Sequence, residues 1–133
     1  MEIFDPETLS ITSTLKSTPR IDGVLFKAMK DRVLGKNYEL SLVFIGKKRM
    51  RRLNNTHRQK DYATDILSFV LDKDAGEIFI YPEKARIKAK DYDRTFSNYL
   101  HFVFIHGLFH LKGFDHGSRM EREEARVRSS FGI

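Results

Sequence analysis

At 133 residues, 41% of them hydrophobic and 11 of them Phe, the chain fits one domain with a core large enough to fold without covalent staples. The absence of Cys excludes a disulfide scaffold, a thiol nucleophile and every Cys-ligated zinc or iron–sulfur site, leaving His and carboxylates as the strong metal ligands. Lys and Arg number 24 against 18 Asp and Glu, a net charge of +6, which suits a soluble protein that meets polyanions.

Residues 1–6 carry two acids and no apolar run, so no secretory signal is expected and the cytoplasm is the expected compartment. Residues 10–18, rich in Ser, Thr and Lys, read as a polar connector or an edge strand. Thr18-Pro19 has the form of an N-cap followed by proline at the first helical position. Ile21, Val24, Leu25, Ala28 and Met29 then repeat at helical spacing until Gly35. Over residues 38–45, Tyr38, Leu40, Leu42 and Phe44 alternate onto one face with Val43 and Ile45 opposite, the pattern of a strand.

A basic helix is expected after Gly46. Residues 66–71 form a short continuous apolar run, expected as a strand buried on both faces. Residues 72–76 turn, and residues 77–81 return as its hairpin partner. Pro82 opens a short helix to residue 90, and a long apolar helix is expected over residues 93–112. Its apolar stretch, residues 99–111, falls short of the ~20 residues a bilayer span requires, so it reads as a buried core helix. Ser118 and Glu121 match a capping box at the start of a final helix, on which Glu124 precedes Arg128 at i,i+4. Strands and helices that mix without strict alternation predict an α+β fold: a single domain over residues 1–133, with a small mixed β-sheet packed against helices.

The positive charge is concentrated. Residues 47–60 hold Lys47, Lys48, Arg49, Arg51, Arg52, Arg58 and Lys60 and no acid, so this segment carries +7 and the rest of the chain −1. Met50 and Leu53 give the basic helix a thin buried stripe, too narrow for a membrane-surface helix. An isolated basic run is more often a solvated face than a binding site. Here Arg58 and Lys60 continue it into a polar loop at residues 54–61, rich in groups that bind phosphate oxygens. Nucleic acid is therefore the expected partner, bound with a steep dependence on salt.

The chemistry-bearing segment is residues 106–116. His106 and His110, four apart on a helix, lie about 40° from one another around its axis and can grip one metal ion. Gly113 stands where the helix should stop and suits a left-handed C-terminal turn. Phe114 can then pack back on Phe109, and the reversal swings His116 towards the other two. Three imidazoles leave one tetrahedral corner for water, the design of a catalytic zinc site. A lone His on an apolar helix is more often a packed core residue. His101, about 140° from His106 around the axis, is read that way, as packing or surface. The spacing also fits the zincin pattern H-E-x-x-H-x-x-G-x-x-H, except that Gly107 replaces the general-base Glu, which argues against a metallopeptidase.

Residues 106–116 resemble the H-G-x-L-H-L-x-G-Y-D-H signature of the YbeY family of bacterial endoribonucleases, with Phe109 for Leu and Phe114 for Tyr. Arg58, followed by Thr64-Asp65-Ile66-Leu67-Ser68-Phe69, resembles the family's Y-R-x-x-x-x-x-T-D-V-L-S-F block, with His57 for Tyr and Val70 where Pro is common. Gly76-Glu77-Ile78 resembles its G-D-I strand start. The resemblance implies a zinc-dependent, single-strand-specific RNase of ribosomal RNA maturation, acting at the 3′ end of small-subunit (16S) RNA and in ribosome quality control. It further implies one zinc per chain on His106, His110 and His116, and a functional Arg58.

On this reading Arg58 stabilises charge on the phosphate in catalysis or serves as one more phosphate-positioning residue. Lys47, Lys48, Arg49, Arg51, Arg52 and Lys60 follow the RNA backbone. Asp115 orients an imidazole or simply occupies the turn. The competing reading is a ribosome-associated RNA-binding factor whose zinc is structural, which the missing base at Gly107 favours.

Overall fold

Tyr38, Leu40, Leu42 and Phe44 point to one side of a five-stranded sheet and Val43 and Ile45 to the other, so the sheet carries two unequal cores. The computed structural model describes residues 2–4 and 6–133; Met1 and Asp5, from the acidic N-terminal stretch, lie outside them. In chain order the elements are β1 (Glu2–Phe4), β2 (Leu9–Ser13), α1 (Gly23–Leu34), β3 (Glu39–Phe44), α2 (Lys47–Arg58), β4 (Ile66–Asp72), β5 (Ala75–Ile80), α3 (Pro82–Asp91), α4 (Phe96–Leu111) and α5 (Ser118–Ser130). The fold is thus a single α+β domain with a mixed sheet, as the sequence pattern predicts.

The strand order is β1-β2-β3-β5-β4, with parallel pairs β2–β3 and β3–β5 at the centre and antiparallel β1 and β4 at the edges. Registry Leu42↔Ile78 and Phe44↔Ile80 stacks the large core, and Val43↔Phe79 the small one. On the large side, α1, α3, α4 and α5 contribute Phe26, Ala85, Phe104 and Val127, all buried. Only α2 packs on the small side, through Met50. α4 lies against β4, α1, α3 and α5 and is the central helix of the domain.

Three expected features of the first half are corrected. α1 begins at Gly23, not after Thr18, because the Asp22 carboxylate accepts from the Leu25 N–H at 3.3 Å while Pro19 is buried in the preceding connector. The buried stripe is therefore Phe26, Met29 and Val33; Val24 is 71% exposed and Ala28 faces solvent. This rotation buries a Phe ring at the expense of smaller groups, the larger apolar gain. The third correction concerns residues 54–58, which form the last turn of α2 instead of a loop, ending on Gln59 in the left-handed conformation (φ 56°).

β4 is not buried on both faces. It is an edge strand, and Val70 and Leu71 stand exposed beyond the part that α4 covers. The hairpin with β5 forms as expected, with Lys73 and Asp74 at its turn. α4 starts at Phe96, where the Thr95 hydroxyl accepts from the Asn98 N–H at 3.1 Å. The capping box at Ser118 does not form: Gly117 is the N-cap, and no side chain caps α5.

Candidate metal centre and cleft

α4 delivers His106 and His110 from one face, and the turn after it delivers the third imidazole. The turn has the expected glycine chemistry. Gly113 takes φ +101°, the Phe114 N–H donates to the Phe109 carbonyl at 3.1 Å, and the two rings meet edge-on at 5.3 Å. His116 is thereby folded back, its ring centroid 5.2 Å from His106 and 4.6 Å from His110. The Nε2 atoms of His106 and His110 approach to 3.1 Å. One nitrogen from each of the three rings lies within 4.8 Å of the others. Tetrahedral zinc with bonds near 2.0–2.1 Å sets nitrogen ligands about 3.3 Å apart, so the cluster fits one such ion with small adjustment.

The protonation pattern also suits ligation. Nδ1 of His106 donates to Oε1 of the buried Glu124 at 2.6 Å, which fixes the tautomer and leaves the Nε2 lone pair aimed at the cluster. Burial pushes the His110 pKa down, and neighbouring His106 and His116 push it further, against a hydrogen bond to the Phe114 backbone and the Glu124 charge. His110 is thus held neutral, as a ligand must be.

Glu124 was expected to pair with Arg128 along α5. Its carboxylate is instead committed to His106, and the Arg128 guanidinium lies over the Phe102 ring at 4.9 Å. Asp115, exposed in the turn, is likewise not the carboxylate that holds an imidazole.

Gly107 faces the sheet. A Cβ there would come to 2.9 Å from Cδ1 of Ile66 and from Oγ of Ser68, and the Ser68 hydroxyl donates to the Gly107 carbonyl at 3.3 Å. The glycine lets the helix lie close against the sheet, and the zincin Glu has no room at this position.

The triad opens on a cleft of about 1210 Å³ whose walls come from the β4 start, α3, α4 and α5. Arg58 reaches it from the end of α2, its Nη1 donating to Oδ1 of the buried Asn54 at 3.4 Å. Deeper in, Asp65 is buried and accepts from the Tyr99 hydroxyl at 2.6 Å and from Thr64 at 3.3 Å, with the Lys88 ammonium 3.6 Å away. Burial and this bond to Asp65 hold the Tyr99 hydroxyl far above the ordinary phenol pKa.

The structure brings Arg58 and the three His to one cleft but leaves Lys47, Lys48, Arg49, Arg51, Arg52 and Lys60 outside it, exposed on α2 and the following loop. Arg51 is held by Asp61 in two bonds of 2.8 and 3.1 Å, and Arg49 lies over the Phe79 ring at 5.3 Å. His101 packs edge-on against Phe26 and takes no part in the cluster. The sequence carried no signal for Glu124 or Lys88 as site residues, and marked Asp65 only as part of the Thr64–Phe69 block, because each acts across elements distant in the chain.

The family model described as endoribonuclease YbeY matches residues 7–130. The chain is similar to the endoribonuclease YbeY of Alkaliphilus metalliredigens (strain QYMF), 42% identical over 103 residues covering 69% of this chain and 66% of that one. That of Staphylococcus carnosus (strain TM300) is 32% identical over 117 residues, 79% and 76% of the two chains. The matched stretch therefore spans about two thirds to three quarters of those relatives' length. Among solved structures, the solution structure of TM1509 from Thermotoga maritima superposes with a TM-score of 0.62 at 25% identity, covering 93% of this chain and 89% of that one. Among the described residues, no helix is long and apolar enough to cross a membrane.

Proposed function

The chain belongs to the YbeY endoribonuclease family, and from that premise we propose that it is a zinc-dependent, single-strand-specific endoribonuclease that hydrolyses RNA phosphodiester bonds in the cytoplasm. The observation that carries this reading is a trio of imidazole nitrogens converging at one wall of a cleft that a guanidinium also enters. Three imidazole nitrogens with no thiolate suit zinc, held by His106, His110 and His116, one ion per chain. When bound, zinc supplies Lewis acidity towards a phosphoryl oxygen and acidifies water.

The chain's own residues do the rest. Glu124 keeps His106 in the ligating tautomer. Arg58 is the catalytic cation: planar and permanently charged, it neutralises charge that builds on the non-bridging phosphate oxygens. Lys47, Lys48, Arg49, Arg52 and Lys60 hold the RNA backbone outside the cleft without reading bases, Arg51 contributing less because Asp61 occupies it. In the cell the substrate is the 3′ end of small-subunit (16S) ribosomal RNA, on the maturing small subunit, during ribosome maturation and quality control.

The test incubates zinc-loaded protein with single-stranded and duplex RNA, beside His110→Ala and Arg58→Ala. Cleavage of the single strand alone, lost in His110→Ala while RNA binding persists, is expected. Arg58→Ala should lower kcat about 100-fold, the scale of one lost charge-stabilising donor. Equal products from wild type and His110→Ala would overturn the enzyme and leave an RNA-binding factor with a structural metal.

A further inference from the structure

The cleft extends well past the metal ligands, and that extension has a chemistry that bond cleavage does not use. Tyr99, Phe102 and His106 project from one side of α4 into the cleft, so an aromatic surface leads up to the triad. Tyr92, at the end of α3, rests on this surface, its ring 5.6 Å from Tyr99 and 5.5 Å from Phe102, tilted by 38° and 42°. Tyr92 is nevertheless 55% exposed, so much of its ring stays open to the cleft it lines.

The surroundings are cationic. Arg94 and Arg128 lie over Phe102 at 4.3 and 4.9 Å, and Lys88 and Arg128 line the cleft with Tyr92. Of the acids that line the cleft, Asp65 is buried and engaged by Tyr99, Thr64 and Lys88, Glu124 is buried and bonded to His106, and Asp115 and Glu121 are exposed. Asp91 and Asp93, beside Tyr92 in the chain, are exposed and do not line the cleft.

We propose that Tyr92 is a stacking platform for one nucleobase of the bound strand, with Lys88 and Arg128 taking its phosphates. An open aromatic ring flanked by cations is the arrangement by which proteins hold unpaired nucleotides, whose base faces are free only in a single strand. A duplex hides those faces, so the platform selects single-stranded substrate. Tyr99 and His106 are seven residues apart, about 10 Å along α4. A base on Tyr92 therefore lies within roughly three stacked nucleotides of the metal, fewer in an extended strand.

This inference rests on the endoribonuclease reading, and its test separates the two. Zinc-loaded wild type, Tyr92→Ala and Tyr92→Phe are compared on a short single-stranded RNA carrying 2-aminopurine at successive positions, following fluorescence on mixing and then steady-state cleavage. Tyr92→Ala is expected to raise KM about 10-fold and to abolish quenching at one probe position. Its kcat should stay within about two-fold, and Tyr92→Phe should match wild type. An abasic residue at that position should raise the wild-type KM to the Tyr92→Ala value and leave the variant unaffected. Wild-type KM and quenching in Tyr92→Ala, or a fall in kcat alone, would overturn the platform while leaving the nuclease standing. If wild type neither binds nor cleaves the RNA, the endoribonuclease reading itself fails.

Discussion

The Glu124 carboxylate stands 2.6 Å from Nδ1 of His106, across the gap between two helices. It is buried, and His106 is its hydrogen-bonding partner, so the pair fixes the imidazole orientation from outside the metal cluster. Glu124→Ala should weaken zinc binding by about 10- to 100-fold, the range for loss of such a carboxylate. Glu124→Gln, which still accepts from the Nδ1–H without the charge, should fall between the two. Competition against a calibrated zinc chelator measures this directly. Equal affinity in all three proteins would mean that His106 needs no outside support.

Gly107 predicts a contrast between two substitutions. The atoms a Cβ would meet are the mobile ends of Ile66, Ser68 and Ile78, and Ala gains about 1 kcal/mol of helix propensity over Gly. Gly107→Ala should therefore leave stability within about 1 kcal/mol of wild type. Gly107→Glu would drive a carboxylate into the interface between α4 and the sheet, at a cost above about 3 kcal/mol. Urea midpoints separate the two variants. A stable Gly107→Glu protein with casein-degrading activity would show that the zincin base can be accommodated after all.

What the sequence made legible was local. The spacing of His106 and His110, the Gly113 turn and its Phe114–Phe109 contact all lie within eleven residues, where helix geometry alone determines who meets whom. The alternation of β3 was legible for the same reason. The failures are tertiary. Nothing in residues 66–71 says that β4 lies at an edge, because strand order depends on partners elsewhere. Glu124 and Arg128 had a sound helical pairing on α5, but a buried imidazole outcompeted it. Thr18-Pro19 had good cap chemistry, yet Asp22 offered a cap that also turned Phe26 into the core.

Tyr38 carries a second prediction about stability. It is buried, and its hydroxyl is the one buried side-chain polar atom without a hydrogen-bond partner among the described residues. Burial, with the Asp74 charge, raises its pKa, so the group is a neutral phenol that has lost water and gained nothing. Tyr38→Phe keeps the ring and should stabilise the fold by about 1 kcal/mol. Gly76→Ala should do the opposite, since its methyl would strike that hydroxyl and Leu111. Thermal or urea unfolding of the two variants checks both signs.

Lys30 is fully buried, and its ammonium donates to Thr8 Oγ1 at 2.8 Å, to Asp31 at 3.1 Å and to the Lys36 carbonyl at 3.2 Å. Burial by itself raises the Asp31 pKa, but hydrogen bonds from Lys27 and Lys30 outweigh it and hold the carboxyl below its ordinary value. A carboxyl depressed in the folded state contributes stability above its unfolded pKa, and that contribution is lost as pH falls through the folded one. Asp31→Asn should therefore cost about 2 kcal/mol near neutrality, less than the removal of a partner from a fully buried pair because the Asp31 side chain is 19% exposed. The deficit should persist down to about pH 4 and shrink below it, as wild-type Asp31 also loses its charge. Urea titrations of both proteins at stepped pH read the difference, and a gap near zero at every pH would show that Lys30 is held by Thr8 and Lys36 alone.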